Sequence, residues 1–305
     1  MIVRKMIDVM TDEVERFRIL KRLGFYDRMS DFDFIKLSYG MSMGYEPNLT
    51  NPQTFNEKLQ WLKLNDRRPE YSAMVDKYEA KIYVSKLVGE EYIIPTLGVW
   101  ETFDDIDFDC LPNQFVLKCT HDSGGLIICR NKEKFNKKNA KKILVHSLKR
   151  NYYLRGCREW PYKNVKPRII AEQYMQDGNN RELTDYKFYC FNGTPQYLYV
   201  STGMENHSTA RMGFLDLNWN KMDFFRNDYK PLETIPPRPE KFGDMIELAK
   251  KLSDGIPFLR VDLYVINGKI YFGELTFSPC GGMMPFNPPE ADAEVGKLLK
   301  LPTNA

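Results

Sequence analysis

Residues 258–282, FLRVDLYVINGKIYFGELTFSPCGG, constrain this chain more than any other stretch. Two runs rich in β-branched and aromatic residues flank Asn267-Gly268, a pair that favours the tight turn of a β-hairpin. Arg260, Asp262 and Glu274 interrupt those apolar runs, and a carboxylate carried into a sheet without a cation or donor is costly. The two acids therefore call for an arginine or a metal ion. Period-two alternation puts Arg260, Asp262 and Tyr264 on one face of the first strand, and Glu274, Thr276 and Ser278 on one face of the second. A two-residue turn sets Asp262 opposite Gly273 and sends Glu274 to the other face. A three-residue turn (Ile266-Asn267-Gly268), or a bulge at Gly273, brings Asp262 and Glu274 onto the same face. Two carboxylates beside a hydroxyl then form a hard oxygen site suited to Mg2+, with Arg260 next to the phosphates that complete the coordination. The same residues also suit a plain arginine-carboxylate pair on a half-exposed sheet.

The remaining composition sets bounds. The 305 residues are 43% hydrophobic, enough to bury a full core in one large domain or two to three lobes. With 44 Lys+Arg against 41 Asp+Glu the net charge is +3, which excludes the basic excess of a dedicated nucleic-acid binder. The six cysteines show no CxxC spacing, and the start, MIVRKMIDVMTDEVERF, lacks the apolar run of a signal peptide. Reduced thiols in the cytoplasm are the expectation. No apolar run approaches the roughly 20 residues that span a bilayer.

Up to about residue 90 the pattern is helical. Thr54-Phe-Asn-Glu57 has capping-box spacing, and a further helix is expected from Ser72 to Leu87, stopping at Gly89. QFVLKC (114–119) and LIICR (126–130) read as strands around the loop THDSGG. The lysine-rich run that follows predicts a helix capped at Asn139, with Ala140, Ile143, Leu144 and Ser147 on one face. Residues 151–168 read as an irregular loop, RIIAEQYM as a strand, and DYKFYCF with PQYLYV as a second hairpin around Asn192-Gly193. Residues 218–240 read as a long loop, and KFGDMIELAKKLSDG as a helix with Phe242, Met245, Ile246, Ala249 and Leu252 inward. The expected class is α+β with largely antiparallel sheets. Lys118 and Lys187 interrupt two of the strands, as edge-protecting lysines do or as phosphate ligands do. Lys118 is followed by a glycine-containing loop, His121 to Gly125, whose backbone amides suit phosphate without the spacing of a P-loop.

In order and spacing, DKYEAKIYVSKLVGEEYIIPTLG, FVLKCTHDSGGLI, RIIAEQYM, RVDLY and GELTFSPCGG resemble the nucleotide-binding elements of ATP-grasp enzymes. TFNEKLQWLKLNDR, REWPYKNVKPRIIAEQYM and DYKFYCFNG are similar to the TupA-like ATP-grasp branch, associated with teichuronopeptide and cell-surface polysaccharide biosynthesis. The resemblance covers roughly residues 50 to 290. It implies an ATP-grasp fold: a helical region over 1–70, a lobe over 71–171 with a glycine-rich lid, and a C-terminal lobe over 172–305 with the metal site, the lobes gripping ATP. It also implies roles. Lys77 and Lys118 reach the ATP phosphates, Lys118 and Arg260 serve catalysis, and Asp122, Ser123, Gly124 and Gly125 form the lid. Glu172 and Tyr174 mark the adenine hinge, Asp185 the ribose, and Lys187 a further phosphate contact. Asp262 and Glu274 hold Mg2+, with Thr276 where the family has Asn. The resemblance transfers no acceptor-binding residues; the basic-aromatic loop with Arg158, Trp160 and Tyr162 suits an anionic sugar chain or carboxylate, or a packed loop over the cleft, and Ser278 is a further candidate substrate contact.

The function so implied is an ATP- and Mg2+-dependent carboxylate-amine ligase working through an acyl phosphate. Its expected partners are a glycan or uronic-acid carboxylate and an amino acid or amine, with peripheral association with surface-polysaccharide machinery. A metal-dependent glycosyltransferase is a rival, since Asp31-Phe-Asp33 and Asp105-Ile-Asp107 have DxD spacing. An ATP-grasp kinase acting on a glycan hydroxyl is another.

Overall fold

The computed structural model describes residues 12–178, 183–203 and 210–302. Residues 1–11, which open the stretch read above for a signal peptide, lie outside the described residues. Among the described residues no helix is long and apolar enough to cross a membrane.

The chain opens with helices α1 (Glu13–Leu23), α2 (Asp31–Met43) and α3 (Phe55–Asn65). The capping box of α3 forms as its spacing predicts, with Thr54 Oγ1 accepting the Glu57 amide and Glu57 returning to the Thr54 amide. The single helix expected from Ser72 to Leu87 is two, α4 (Tyr71–Val75) and α5 (Glu79–Val88). Asp76 is extended (φ −69°, ψ 122°), and its Oδ1 accepts the amides of Tyr78 and Glu79 at 2.8 and 3.0 Å. Distant residues hold the break open. The Lys77 amide bonds Thr120 O at 3.0 Å, and Arg168 Nη2 reaches Asp76 Oδ2 at 3.0 Å.

The first sheet holds β1 (Thr96–Trp100), β2 (Phe115–Cys119), β3 (Leu126–Cys129) and β4 (Ile169–Gln173), in the order β1-β4-β2-β3 and wholly antiparallel. Phe115, Leu117 and Cys119 point into a core closed by α6 (Lys137–Leu148), while Val116 and Lys118 take the opposite face. The cap of α6 is Asn136 rather than Asn139, because Asn136 Oδ1 accepts the Asn139 amide at 2.9 Å. Ala140, Leu144 and Ser147 face inward as expected, whereas Ile143 is exposed. The segment 151–168, read as irregular, contains the short α7 (Tyr152–Arg155) and a 3-10 turn at Trp160–Tyr162.

The second sheet comprises β5 (Asp185–Phe191), β6 (Thr194–Thr202), β7 (Arg211–Asp216), β9 (Lys230–Pro231), β10 (Phe258–Ile266) and β11 (Lys269–Thr276), in the order β11-β10-β5-β6-β7-β9. All pairs are antiparallel except β7 with β9, whereas β8 (Phe225–Arg226) pairs apart with β12 (Phe286–Asn287), so the long loop expected over 218–240 carries two short strands. Both Asn-Gly turns form with two residues each and positive φ at both positions. One face packs on α8 (Phe242–Ser253) through Phe242, Met245, Leu248, Ala249 and Leu252, with Ile246 half-buried against the same core. On the other face, Tyr189, Phe191 and Phe258 pack against Phe55 of α3 with tilted or edge-on rings, and α9 (Ala291–Leu298) closes that end.

Candidate functional site

The aromatic face of the second sheet changes character along its strands. On β5 the alternation runs Phe191, Tyr189, Lys187, Asp185, and on β10 it runs Phe258, Arg260, Asp262, Tyr264. The registered pairs Asp262/Lys187 and Tyr264/Asp185 therefore place charge at one end of a face whose other end is core. Lys187 Nζ donates to Asp262 Oδ2 at 2.6 Å and lies 3.5 Å from Asp185 Oδ1.

The β10–β11 hairpin uses a two-residue turn together with a bulge. Ile266 pairs Lys269 and Leu263 pairs Phe272, then the register slips at Gly273 so that Asp262 faces Glu274 directly. Gly273 fits there because a Cβ would stand 2.9 Å from the Tyr264 ring and 3.0 Å from Asp262 O. Arg260 Nε and Nη2 grip Asp262 at 2.7 Å each, and Nη2 also reaches Glu274 Oε1 at 2.5 Å. Thr276 Oγ1 donates to the same Glu274 oxygen at 3.3 Å. Burial pushes the Asp262 carboxyl up, with Arg260 and Lys187 pulling against it. Burial likewise works on Glu274, but Arg260, Lys187 and Lys77 outweigh it and hold that carboxyl low. The Glu274 side chain is 48% exposed, so solvent screens this pairing.

The first sheet supplies a matching charged pair. Lys118 Nζ lies 2.5 Å from Glu172 Oε2, and Lys81 Nζ lies 2.6 Å from Oε1. Burial raises the Glu172 carboxyl, but Lys118 and Lys81 together hold it down at about 2. Lys81 escaped the sequence reading. Its signal was its place four residues after Lys77, on the buried face of α5 with Ala80 and Val84. Lys77 joins the two sheets: burial lowers its pKa, opposed by Glu274 from one side and Asp122 from the other, with Lys118 adding to the lowering.

A cavity of about 410 Å³ runs from Lys118, Glu172 and Asp185 to a wall of Val116, Ile128, Tyr174, Met175, Leu183 and Tyr264. Strands of both sheets line it. Ser123 and Gly124 form the exposed tip of the loop after β2, while Gly125 is buried against Ser147. Asp122 turns inward, accepting the Ser147 hydroxyl while its backbone carbonyl accepts from Lys77. His121 Nε2 donates to Ser147 O and Arg150 O at 3.2 Å.

The expected substrate residues divide. Arg158 is 3% exposed and commits its guanidinium to the α1–α2 connection, donating to Tyr26 O at 2.8 Å and stacking over Phe34 and Tyr153. Trp160 packs on the core of the second sheet. Tyr162 is pushed well up by burial and then by Glu159, and it also senses Glu274 and Arg260. Ser278 is buried with Lys63 and Pro161 around a small pocket. Glu159 and Lys63 are further buried charges that the sequence reading passed over. The DxD pairs are taken up locally: Asp31 pairs Arg67, Asp33 accepts from Ser30, Asp105 from Thr102, and Asp107 from Cys110.

Two sheets facing a polar-to-apolar cleft, with paired acids on a bulged hairpin, define a nucleotide-grasping architecture. The family model described as TupA-like ATPgrasp matches residues 57–300, and the chain belongs to that family. Among solved structures, D-alanine-D-alanine ligase from Bacillus anthracis complexed with ATP is 14% identical, with 67% of this chain and 54% of that chain covered at a TM-score of 0.39. D-alanyl-alanine synthetase A from Vibrio cholerae is 15% identical over 71% of this chain and 59% of that one, at a TM-score of 0.42. The ATP-grasp ligase PsnB, complexed with a phosphomimetic variant of its minimal precursor, Mg and ADP, is 10% identical over 73% and 58%, at a TM-score of 0.38. The match thus spans a little over half of each of these proteins. No curated protein matches the chain.

Proposed function

We propose that this chain is an ATP- and Mg2+-dependent ligase that joins a carboxylate to an amine, one of them carried by a cell-surface polysaccharide or its precursor. The observation that carries the reading is the shared cleft: Lys118 and Glu172 from one sheet, Asp185 and Tyr264 from the other, with Lys77 sensing both Glu274 and Lys118. Family membership supports the same reading.

The residues present fit the expected ligands. Mg2+ accepts one or two protein carboxylates and takes its other ligands from water and phosphate, which suits the adjacent Asp262 and Glu274 with Thr276 as an auxiliary hydroxyl. Among the described residues no group of three acidic, His or Cys side chains forms a fuller cage. The apolar wall by Tyr174 and Met175 suits a base, and Asp185 a ribose. When bound, ATP supplies the phosphoryl group and Mg2+ offsets its charge. Lys77, Lys118, Lys187 and Arg260 hold positive charge toward the reacting phosphoryl group, and Ser123 and Gly124 cover it from the lid.

The proposed reaction balances in two steps. A carboxylate oxygen attacks the terminal phosphorus as the bond to ADP breaks; the amine nitrogen then attacks the acyl carbon as the carbon-oxygen bond to phosphate breaks. The amine, docking as an ammonium, gives up one proton before it attacks and a second as orthophosphate leaves and the amide forms. The division 1–70, 71–171 and 172–305 belongs to this reading, although its second boundary lies inside β4. The dependence on ATP puts the reaction in the cytoplasm.

Purified protein with ATP, Mg2+, pooled uronic-acid glycans and pooled amino acids tests this. Equimolar ADP and orthophosphate requiring both pools, with an amide product by mass, is the expected result. ADP without orthophosphate would indicate phosphorylation of a hydroxyl instead, and dependence on a nucleotide sugar without ATP turnover would indicate glycosyl transfer.

A further inference from the structure

Positive charge is concentrated in one segment of this chain. Residues 130–150 carry nine Lys and Arg and one Glu, so a chain of net charge +3 is acidic outside them. Lys138, Lys142 and Lys149, at i, i+4 and i+11, fall on one side of α6 and its C-terminal cap. That side lies away from Ala140, Leu144 and Ser147, which are buried toward the first sheet. All three lysines are exposed, and among the described residues neither they nor Lys134 and Arg150 at the two ends make an ion pair. Lys141 differs in pairing with Asp104 at 2.6 Å, and Lys137 in lying 4.6 Å from the centroid of the Phe108 ring. The arrangement works against the helix that carries it. Lys137 and Lys138 stand in the first turn, where the helix dipole disfavours cations, and Lys138 and Lys142 repel at i, i+4. A partner with repeating negative charge relieves both costs.

The stripe leads to the candidate site. At the C-terminal end of α6, Ser147 O and Arg150 O each accept from His121 Nε2 at 3.2 Å. The Ser147 hydroxyl donates to the Asp122 carboxylate, and the Asp122 carbonyl accepts from Lys77. The exposed cations are thus joined, through the glycine-containing loop after β2, to a lysine of the proposed phosphate set. From Lys138 to Lys149 the helix rises roughly 16 Å, longer than one sugar and matched by several carboxylates of an extended chain. Nucleic acid and anionic lipid also present repeating negative charge. Only an acidic polysaccharide offers both that charge and a carboxylate for the reaction proposed above.

We propose that the exposed face of α6 is a docking surface for an acidic polysaccharide, which it holds alongside the cleft. This rests on the ligase reading and deepens it by naming how the glycan is held. The test measures binding directly, by fluorescence anisotropy of labelled oligogalacturonates of increasing length. Neutral dextran oligomers, a single-stranded oligonucleotide of equal charge and phosphatidylglycerol vesicles serve as comparisons. Affinity for oligogalacturonate is expected to rise with length, to weaken with added salt, and to fall roughly 10-fold when Lys138→Gln, Lys142→Gln and Lys149→Gln are combined. The triple variant should keep the wild-type Kd for ATP with Mg2+, and its melting temperature should not drop, because the substitutions relieve repulsion. Unchanged oligogalacturonate affinity in the variant, binding independent of length, equal binding of dextran, or tighter binding of the oligonucleotide or the vesicles at equal salt would each overturn the assignment. Lysine-dependent oligogalacturonate binding without ATP-dependent amide formation would instead remove the ligase reading and leave the docking surface in place.

Discussion

Three N–H donors converge on Asp262, two from Arg260 at 2.7 Å and one from Lys187 at 2.6 Å, and they offset the upward push of burial on its carboxyl. Asp262 is 1% exposed, so removing it leaves buried Arg260 with Glu274 alone and Lys187 with only the longer contact to Asp185. Asp262→Ala is expected to cost about 3–5 kcal/mol in urea unfolding. Glu274→Ala removes a half-exposed carboxylate and is expected to cost about 1 kcal/mol or less, while abolishing ATP turnover as completely. Turnover and stability thus separate across one hairpin. Glu159 gives a pH signature of opposite sign to an ordinary ion pair. Its carboxyl titrates near 4.5 in the unfolded chain and about 7 when folded, so the folded chain binds more protons between those values. Stability therefore falls as pH rises from 4.5 to 7, by about 3 kcal/mol for this group, and stays lowered above. Glu159→Gln should raise the melting temperature at pH 8 and leave it little changed at pH 4.5; a uniform shift at both would count against a buried, strained carboxylate.

At the scale of elements, the bulge at Gly273 decides whether the two acids meet. A Cβ there collides with the Tyr264 ring and the Asp262 carbonyl, so Gly273→Ala is expected to cost about 1–3 kcal/mol and to suppress ATP turnover by displacing Glu274. Gly243→Ala is the control: its Cβ meets nothing within 4 Å inside α8, and it should stabilise by about 0.5–1 kcal/mol. Features set by neighbours in sequence were legible. The capping box of α3 and both Asn-Gly turns depend on residues within a few positions of one another. The break between α4 and α5 was not, because Thr120 and Arg168 hold it from 40 or more positions away. Lys118 and Lys187 were visible as interruptions of apolar strands, whereas the pairing of Lys81 with Glu172 appears only when α5 packs on the first sheet.

In the whole molecule, α3 ties the C-terminal segment to the site. Asn56 bonds Asp292 and Met284, Lys58 bonds the carbonyls of Gly296 and Leu299, and Lys63 spans Cys157 and Gly281. A ligand gripped between the two sheets stabilises every part so connected. ATP with Mg2+ at 100 times its Kd is expected to add about 2.7 kcal/mol to stability, read as a rise in melting temperature. That rise should need Mg2+ and should vanish in Asp262→Ala; a rise of equal size without the metal would speak against carboxylate-held Mg2+. By itself the sequence determined the strands of the Asn-Gly hairpins, their tight turns, the capping box of α3 and the residue types of the site, because alternation and turn chemistry act over a few residues. Only the tertiary structure decided which carboxylates meet and which are buried, since the Gly273 bulge, the Lys81 partner of Glu172 and the burial of Glu159 arise where distant segments pack.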